Sequence, residues 1–263
     1  MARASFKNVM RLLNDANGEA PAEKSFLNDL KRVIELISAE EQNKPSQTYK
    51  PSSMNCTRQM VYQVLGKDTD TKGMSYTSAG IVNSGSDIHI RIQDYVSRMR
   101  AHGMDCWYID VGDFILSRGI KDVIVREKVG AETKLYHEKL NMSFMCDGII
   151  KYKNRYYILE LKTETGNKFF ARQFVDPSHY NQATAYSLAL GLDEVIFVYI
   201  SRDTLDMKAY MFNVTDEMKQ NLIGKIDYCD SYVKKLSIPP KPEDVDRKTC
   251  SYCGYKELCK RDN

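Results

Sequence analysis

The chain has 263 residues, 43% hydrophobic and 28% charged, and its net charge of +3 gives only a weak preference for polyanionic partners. It contains no run of about 18 apolar residues, and its N-terminus lacks the apolar core of a secretory signal, so we expect no membrane span and a cytoplasmic location. The seven cysteines are therefore expected to be reduced thiols or metal ligands, not disulfides.

Helical and strand patterns alternate along the chain. Apolar spacing and capping residues predict helices over residues 22–41, 56–65, 78–101, 177–190 and 216–236. Strands are predicted over residues 123–129, 134–139, 195–200 and 208–214, together with a hairpin over residues 142–163. Residues 42–53 form a predicted loop, and Gly85 inside the third helix indicates a close approach or a break. This order favours an α/β fold with a mixed central sheet flanked by helices.

The hairpin carries the strongest chemical signal. With a two-residue loop at Lys153–Asn154, Asp147 lies directly across from Glu160, and alternation puts Lys162 on the face of Glu160. Two carboxylates in an apolar setting repel each other and lose hydration, whereas a divalent cation such as Mg²⁺ or Mn²⁺ removes both penalties. A structural network of ion pairs across the strands is the alternative, and a loop of odd length would separate the two carboxylates.

The C-terminal tail holds three cysteines, Cys250, Cys253 and Cys259, within ten residues. Thiolate ligands favour Zn²⁺ or an iron–sulfur cluster, and both usually require four protein ligands. The fourth ligand must then be distant in sequence, and we favour Cys56, which begins a helix after a polar loop, over Cys106 or Cys229. Cys146 is expected to point into the core, and three unrelated thiols remain the alternative to a metal site.

Two helices carry polar groups that could join such a site. His89 lies one turn after Gly85, and Gln182 and Tyr186 are four residues apart, which places them on one helix face. Each has an ordinary structural interpretation when taken alone. If the second helix packs near Lys162, its two side chains could contact a phosphate or a base.

The order of these motifs resembles that of the RecB-like branch of the PD-(D/E)XK nuclease superfamily. The motifs are Gly85-x3-His89, Asp147, Glu160-x-Lys162 and Gln182-x3-Tyr186. With Cys56, Arg58 and the three terminal cysteines, the chain looks like the iron–sulfur exonucleases associated with CRISPR systems and their phage or plasmid relatives. AddB-type helicase–nuclease subunits share that cysteine layout. Cys146 stands where a proline often precedes the aspartate, and the first fifty residues have no counterpart in the family.

The resemblance implies a restriction-endonuclease-like fold and a metal-dependent DNA exonuclease acting on DNA ends or single strands, in recombination, repair or CRISPR-like processing. It implies that Mg²⁺ or Mn²⁺ is held by His89, Asp147, Glu160 and the main-chain carbonyl of Leu161. Lys162 is then the catalytic lysine, and Gln182, Tyr186 and Arg58 support the site or hold DNA. It implies a [4Fe–4S] cluster, with Zn²⁺ as the alternative, on Cys56, Cys250, Cys253 and Cys259.

This interpretation divides the chain into an N-terminal helical region (1–53), a nuclease domain (54–240) and a cysteine-rich tail (241–263) that completes the cluster with Cys56. DNA is the expected partner, and a homo-oligomer or a nuclease or recombination partner protein stays open. Two other function classes compete with the nuclease. One is a nucleic-acid-binding module with a zinc knuckle and structural acids, and the other is an assembly subunit without catalysis.

Overall fold

A computed structural model describes residues 21–41, 47–70, 73–129, 132–243 and 245–262. The chain divides into two compact units, Met1–Asn43 with Thr71–Asn83 and Lys44–Asp70 with Ser84–Asn263. Residues 1–20 and 42–46 of the predicted N-terminal region lie outside the described residues, so the boundaries of this region stay a prediction.

The helices and strands follow the predicted order. The helices are α1 (Ala22–Glu40), α2 (Thr57–Val64), α3 (Tyr76–Arg98), α4 (Val111–Arg118), α5 (Gly166–Ala171), α6 (Tyr180–Leu190), α7 (Asp216–Lys234), α8 (Arg247–Ser251) and α9 (Lys256–Arg261). The strands are β1 (Cys106–Ile109), β2 (Val123–Val129), β3 (Glu132–His137), β4 (Met142–Cys146), β5 (Gly148–Tyr152), β6 (Arg155–Glu164), β7 (Glu194–Ser201) and β8 (Met207–Asn213). None of these described helices is both long enough and apolar enough to cross a bilayer.

The smaller unit contains α1 and the first two turns of α3. The helix predicted over residues 22–41 is confirmed, but the apolar residues that repeat along one side of it are not buried, since Phe26 is 67% and Ile37 is 46% exposed. Ser38 accepts a hydrogen bond at 2.8 Å from the main-chain nitrogen of Met74, which ties the segment before α3 to α1.

The larger unit is built on two sheets. Five strands pair in the order β1-β5-β6-β7-β8, and only β6 and β7 run parallel among them. Three strands, β2-β3-β4, form a separate antiparallel sheet. The parallel pair requires a crossover connection, which α5 and α6 supply. The predicted mixed sheet with flanking helices is therefore confirmed.

Strand alternation gives the five-stranded sheet two apolar faces. Ile149 and Ile158 face a large core that also contains buried residues of α2, α6 and α7. Leu159 and Leu161 face the opposite side, where Ile88 and other residues of α3 pack against them. Both faces of β6 are thus buried, so any polar group on this strand must find a partner inside the protein.

Capping residues set the helix boundaries as predicted. Asp176 accepts a hydrogen bond from the Ser178 nitrogen and begins a 3-10 turn that leads into α6, while Gly191 ends α6 with a φ of 65°. Five elements were not predicted, namely β1, α4, α5, α8 and α9. Each has four to eight residues, too few for a periodic pattern to stand out from its surroundings.

A buried ion network fixes the segment between β6 and α6. Arg172 donates to both Glu164 carboxylate oxygens at 2.7 and 2.5 Å and to Asp176 at 3.2 Å. Lys168 also contacts Glu164, at 2.7 Å. Burial raises the pKa of Glu164, but the hydrogen bonds and charges of Arg172 and Lys168 outweigh it and lower that pKa below its usual value of 4.5. The network holds the chain in place just beyond the strand that carries Lys162.

We predict that Arg172→Met lowers the free energy of unfolding by about 3 kcal/mol or more, because it leaves a buried carboxylate short of donors. Urea unfolding at neutral pH measures the change. The control is Arg98→Met, which removes an exposed i,i+4 ion pair with Asp94 and should cost less than about 0.5 kcal/mol. Because the pKa of Glu164 is lowered in the folded state, the Arg172 effect is full above about pH 4.5 and shrinks as pH falls below it. Equal losses in the two variants at neutral pH contradict the prediction.

Candidate active site and cysteine cavity

The hairpin between β5 and β6 has the predicted register. Lys153 and Asn154 occupy the turn with positive φ values of 45° and 64°, and Tyr152 pairs with Arg155. Gly148 pairs with Leu159 at the other end of β5, so the same register continues to Asp147 and Glu160. The two-residue loop is confirmed, and the two carboxylates lie on facing chain segments.

Asp147 sits at the junction between β4 and β5, and its side chain has two short contacts. One carboxylate oxygen lies 3.1 Å from Nδ1 of His89, and the other accepts a hydrogen bond at 2.6 Å from the main-chain nitrogen of Leu161. Burial alone would lower the pKa of His89, but the hydrogen bond with Asp147 and the charges of Asp147 and Glu160 raise it. The negative charges of Asp147 and Glu160 therefore lie close to the His89 imidazole.

The approach of α3 to β6 brings His89 to this position. A Cβ on Gly85, one turn earlier, would lie 3.1 Å from Oγ1 of Thr163 on β6. The absence of a side chain there lets the helix lie close to the strand, which confirms the close approach predicted for this glycine.

Glu160 is 3% exposed, and its two oxygens have different surroundings. Oε1 accepts hydrogen bonds from Lys162 Nζ at 2.6 Å and Gln182 Nε2 at 2.8 Å. Oε2 is buried and meets no hydrogen-bond donor among the described residues. Burial raises the pKa of Glu160 to about 7, with Lys162 opposing the shift and Asp147 adding to it. An unpaired carboxylate oxygen in this setting is costly unless a cation binds it.

The helix α6 supports the lysine. Lys162 Nζ donates to Gln182 Oε1 at 2.9 Å, and Gln182 Nε2 also donates to the Tyr186 hydroxyl at 2.7 Å. The Tyr186 hydroxyl in turn donates to the Met145 carbonyl at 2.7 Å. Tyr186 is 3% exposed, so its surroundings favour a supporting role over contact with DNA. The chain of hydrogen bonds holds the ammonium group beside Glu160.

Glu132 is a site residue that sequence reasoning missed. Ligand atoms of His89, Glu132 and Asp147 all lie within 4.8 Å of one another. Burial and the charge of Asp147 raise the pKa of Glu132. Thr133 pairs with Cys146 in the β3–β4 ladder, and the same register continues to Glu132 and Asp147. The sequence signal that could have located Glu132 was the hairpin formed by β3 and β4. The register of that hairpin depends on a loop length that the sequence pattern did not specify.

Two further groups hold the main chain of Asp147. Gln93 Nε2 donates to its carbonyl at 2.9 Å, and the Tyr108 hydroxyl donates to the same oxygen at 2.6 Å. The Tyr108 ring covers Gly148, where an added Cβ would lie 2.6 Å from the ring. Only a glycine leaves room for this ring, so the identity of residue 148 and the position of Asp147 are linked.

The donor set matches a hard divalent cation. It comprises the group of His89, Glu132 and Asp147 together with the unpaired oxygen of Glu160, that is, three carboxylates and one imidazole, the kinds of ligand that Mg²⁺ and Mn²⁺ accept. The main-chain carbonyl of Leu161 lies on β6 between Glu160 and Lys162 and is a candidate ligand on the same strand.

Four cysteines come together elsewhere in the larger unit. Cys56, Cys250, Cys253 and Cys259 line one cavity of about 190 Å³. Burial raises the pKa of the Cys253 thiol, and the other three thiols raise it further. Of the remaining candidates for a fourth ligand, Cys106 and Cys229 are both buried and neither lines this cavity. Cys146 is buried in the core, as expected.

Arg58 and Asp70 attach the tail to the early part of the larger unit. Arg58 is buried and donates to the Cys259 carbonyl at 3.0 Å, to its Sγ at 3.2 Å and to the Asp262 carbonyl at 2.9 Å. Asp70 accepts from the main-chain nitrogens of Glu257 and Leu258 at 2.6 and 2.9 Å. These contacts favour a structural role for Arg58 rather than contact with DNA.

We predict that Gly148→Ala weakens Mn²⁺ binding about tenfold or more, because the new methyl group displaces Tyr108 and releases the Asp147 main chain. Calorimetric titration of Mn²⁺ measures the affinity. Adding Tyr108→Ala to Gly148→Ala removes the clash and should recover part of the loss, so the two changes are not additive. Gly224→Ala, where an added Cβ meets nothing within 4 Å, is the control. Unchanged affinity in Gly148→Ala contradicts this linkage.

Comparisons with known proteins give only distant similarities. No protein-family model matches the chain, and no curated protein matches it. Among solved structures, the crystal structure of SSO0001 is 16% identical with a TM-score of 0.48, over 90% of this chain and 99% of that one. LHK-Exo in complex with dAMP is 12% identical with a TM-score of 0.41, over 72% and 89%. The alkaline exonuclease LHK-Exo from Laribacter hongkongensis is 13% identical with a TM-score of 0.38, over 73% and 90%.

Proposed function

We propose that the protein is a metal-dependent deoxyribonuclease that hydrolyses phosphodiester bonds. The observation that carries the proposal is the buried Glu160 oxygen without a donor, next to Asp147 and His89 and on the same carboxylate that pairs with Lys162. A purely structural network would leave this oxygen unsatisfied at a considerable cost. A divalent cation bound there would pair with this oxygen and would also be coordinated by Asp147 and His89.

His89, Asp147, Glu160 and the carbonyl of Leu161 would hold the ion, with Glu132 as a further carboxylate ligand. When bound, such an ion lowers the pKa of a water and offsets negative charge that develops at the phosphate. Asp147 is oriented for this task by Gln93 and Tyr108, which keep its main chain in place.

Lys162 acts on the attacking water in this proposal. Its ammonium group is held by Glu160 and Gln182, so it cannot swing away from the carboxylates without breaking two hydrogen bonds. From there the ammonium can orient a water that attacks in line with the leaving oxygen, and only the neutral amine could accept that water's proton. Gln182 and Tyr186 position the lysine. Gln182 accepts a hydrogen bond from Lys162, and Tyr186 accepts one from Gln182, so neither role requires contact with the substrate.

The choice of DNA, and of chain ends over internal bonds, rests on the resemblance in motif order. The cluster of four cysteines rests partly on the same resemblance. We propose that Cys56, Cys250, Cys253 and Cys259 hold a [4Fe–4S] cluster, with Zn²⁺ as the alternative, supported by the cavity that the four thiols share. Its role is to tie the tail to the segment that begins at Cys56.

We predict that wild type shortens end-labelled linear DNA with Mn²⁺ or Mg²⁺ but not with EDTA. Glu160→Ala and Lys162→Ala should each lower the rate by orders of magnitude, the first by losing a ligand and the second by losing the group that activates water. Lys162→Ala should keep nearly full metal affinity. Glu257→Ala removes an exposed acid distant from this site and serves as the control.

Equal cleavage by wild type and Lys162→Ala contradicts the assignment of the lysine. Absence of cleavage by wild type that contains its full complement of metal would instead favour a binding or assembly role, with Asp147 and Glu160 as structural acids. Metal-dependent cleavage of internal bonds in circular DNA would retain the hydrolase and remove the exonuclease.

We predict that protein purified without oxygen contains iron and sulfide and absorbs near the blue end of the visible spectrum. Cys250→Ser and Cys253→Ser should each abolish the absorbance and lower the thermal midpoint, because the tail then depends on Arg58 and Asp70 alone. Cys106→Ala, at a cysteine outside the cavity, is the control. Stoichiometric zinc in place of iron would show that the four thiols hold a zinc ion and not a cluster. The absence of both metals would show that the four thiols are not a metal site.

A further inference from the structure

One surface outside the candidate site alternates cations and aromatic rings across three strands. Trp107 on β1 pairs with Lys151 on β5, and Lys151 pairs with Tyr156 on β6, so the three side chains lie side by side on one sheet face. Arg100 and Arg118 flank them at the two ends. We call these five residues the cation–aromatic row.

Each cation of the row contacts a ring. The Arg100 guanidinium lies 3.0 Å from the centre of the Trp107 ring. Lys151 Nζ and the Arg118 guanidinium lie 5.7 and 5.0 Å from the centre of the Tyr156 ring. These distances are within the range of cation–π interaction. An arginine guanidinium carries five N–H donors, so one that contacts a ring can still bind a phosphate.

The charges of the row are not neutralised locally. Arg100, Lys151 and Arg118 make no ion pair with a carboxylate in the part of the chain that the structure describes. Other exposed cations nearby do have such partners, namely Arg98 with Asp94 and Arg155 with Glu194. Trp107 is 41% exposed although it is a large aromatic residue. The row thus offers free positive charge and an accessible ring together.

The row also has a fixed relation to the proposed active site. Tyr156 and Glu160 are four residues apart on β6, so they are on the same face and about 13 Å apart along the strand. Both belong to a strand that is paired on both sides, which makes the separation rigid.

We propose that the cation–aromatic row binds a single-stranded nucleic-acid segment, with phosphates on the three cations and an unpaired base against Trp107. Alternating charge and aromatic faces match a polymer whose phosphates and bases alternate in the same way. This inference rests on the proposed function in taking nucleic acid as the ligand, but it concerns binding and needs no cleavage. Duplex DNA, whose bases are stacked on one another, would lose the contact with Trp107.

Trp107 is the only tryptophan of the chain, so its fluorescence reports on this surface directly. The full chain carrying Glu160→Ala is titrated in EDTA with oligo(dT) of about twelve nucleotides, a length within the footprint of single-strand-binding folds. We expect saturable quenching and an affinity that falls with salt. With a labelled oligonucleotide, Trp107→Ala should weaken binding at least about fivefold, whereas Trp107→Phe keeps a stacking face and most of the affinity.

The cations are tested by salt dependence. Replacing Arg100, Lys151 and Arg118 together with Gln should reduce the slope of log affinity against log salt by about 2, since each phosphate contact contributes about 0.7. The matched control replaces Lys139, Lys234 and Lys235, which are exposed elsewhere and change the net charge equally. Arg100→Gln alone, at one exposed residue, tests the same point if the triple variant does not fold.

Wild-type slope and affinity in both the triple variant and Arg100→Gln overturn the proposal and leave the row as a structural set of cation–π pairs. Tighter binding of duplex than of oligo(dT), without quenching, overturns it as well. Cleavage is assayed separately on wild type. If binding depends on the row but wild type does not cleave DNA, the nuclease proposal is refuted and the binding proposal stands. If wild type cleaves DNA but binding does not depend on the row, the binding proposal is refuted and the nuclease proposal stands.

Discussion

The burial of two neighbouring carboxylates is the constraint on which the rest of this structure depends. Asp147 and Glu160 lie on facing segments of a strand pair whose two faces are both covered, so water cannot solvate them. The protein offers each a partial solution, a main-chain nitrogen and an imidazole for Asp147 and an ammonium and an amide for Glu160. One oxygen of Glu160 has no hydrogen-bond donor among the described residues, and this unpaired oxygen favours a bound cation.

Several elements of the fold can be understood as means of holding this pair. The helix α3 comes close to β6 because Gly85 has no side chain, and it thereby delivers His89 and Gln93. The edge strand β1 delivers Tyr108 to the same main-chain carbonyl. The helix α6 delivers Gln182, which contacts both Glu160 and Lys162. Rigid elements on all sides limit the motion of the charged groups, which suits catalysis that relies on preorganised charge.

The attachment of the C-terminal tail depends on a second set of interactions. The last residues are short helices with few apolar side chains, and they are attached to the larger unit by Arg58, Asp70 and the cysteine cavity. Closing so long a segment of chain costs conformational entropy, which a bound group at the four thiols would offset. The cavity and the carboxylate site use chemically opposite ligands, soft sulfur and hard oxygen, so one metal does not satisfy both.

Local pattern determined much of this protein from the sequence alone. The two-residue turn and strict alternation set the parity of Asp147, Glu160 and Lys162, and Gly191 sets the C-terminal end of α6. Cys56 and the three tail cysteines line one cavity, and their role as ligands stays a prediction. Tertiary structure alone decided that Glu132 joins Asp147, that Gln93 and Tyr108 hold its main chain, and that Trp107, Lys151 and Tyr156 form one row. The physical reason is that local periodicity orients a side chain within its own element, whereas contacts between distant segments depend on strand order, register and packing, which no local period encodes.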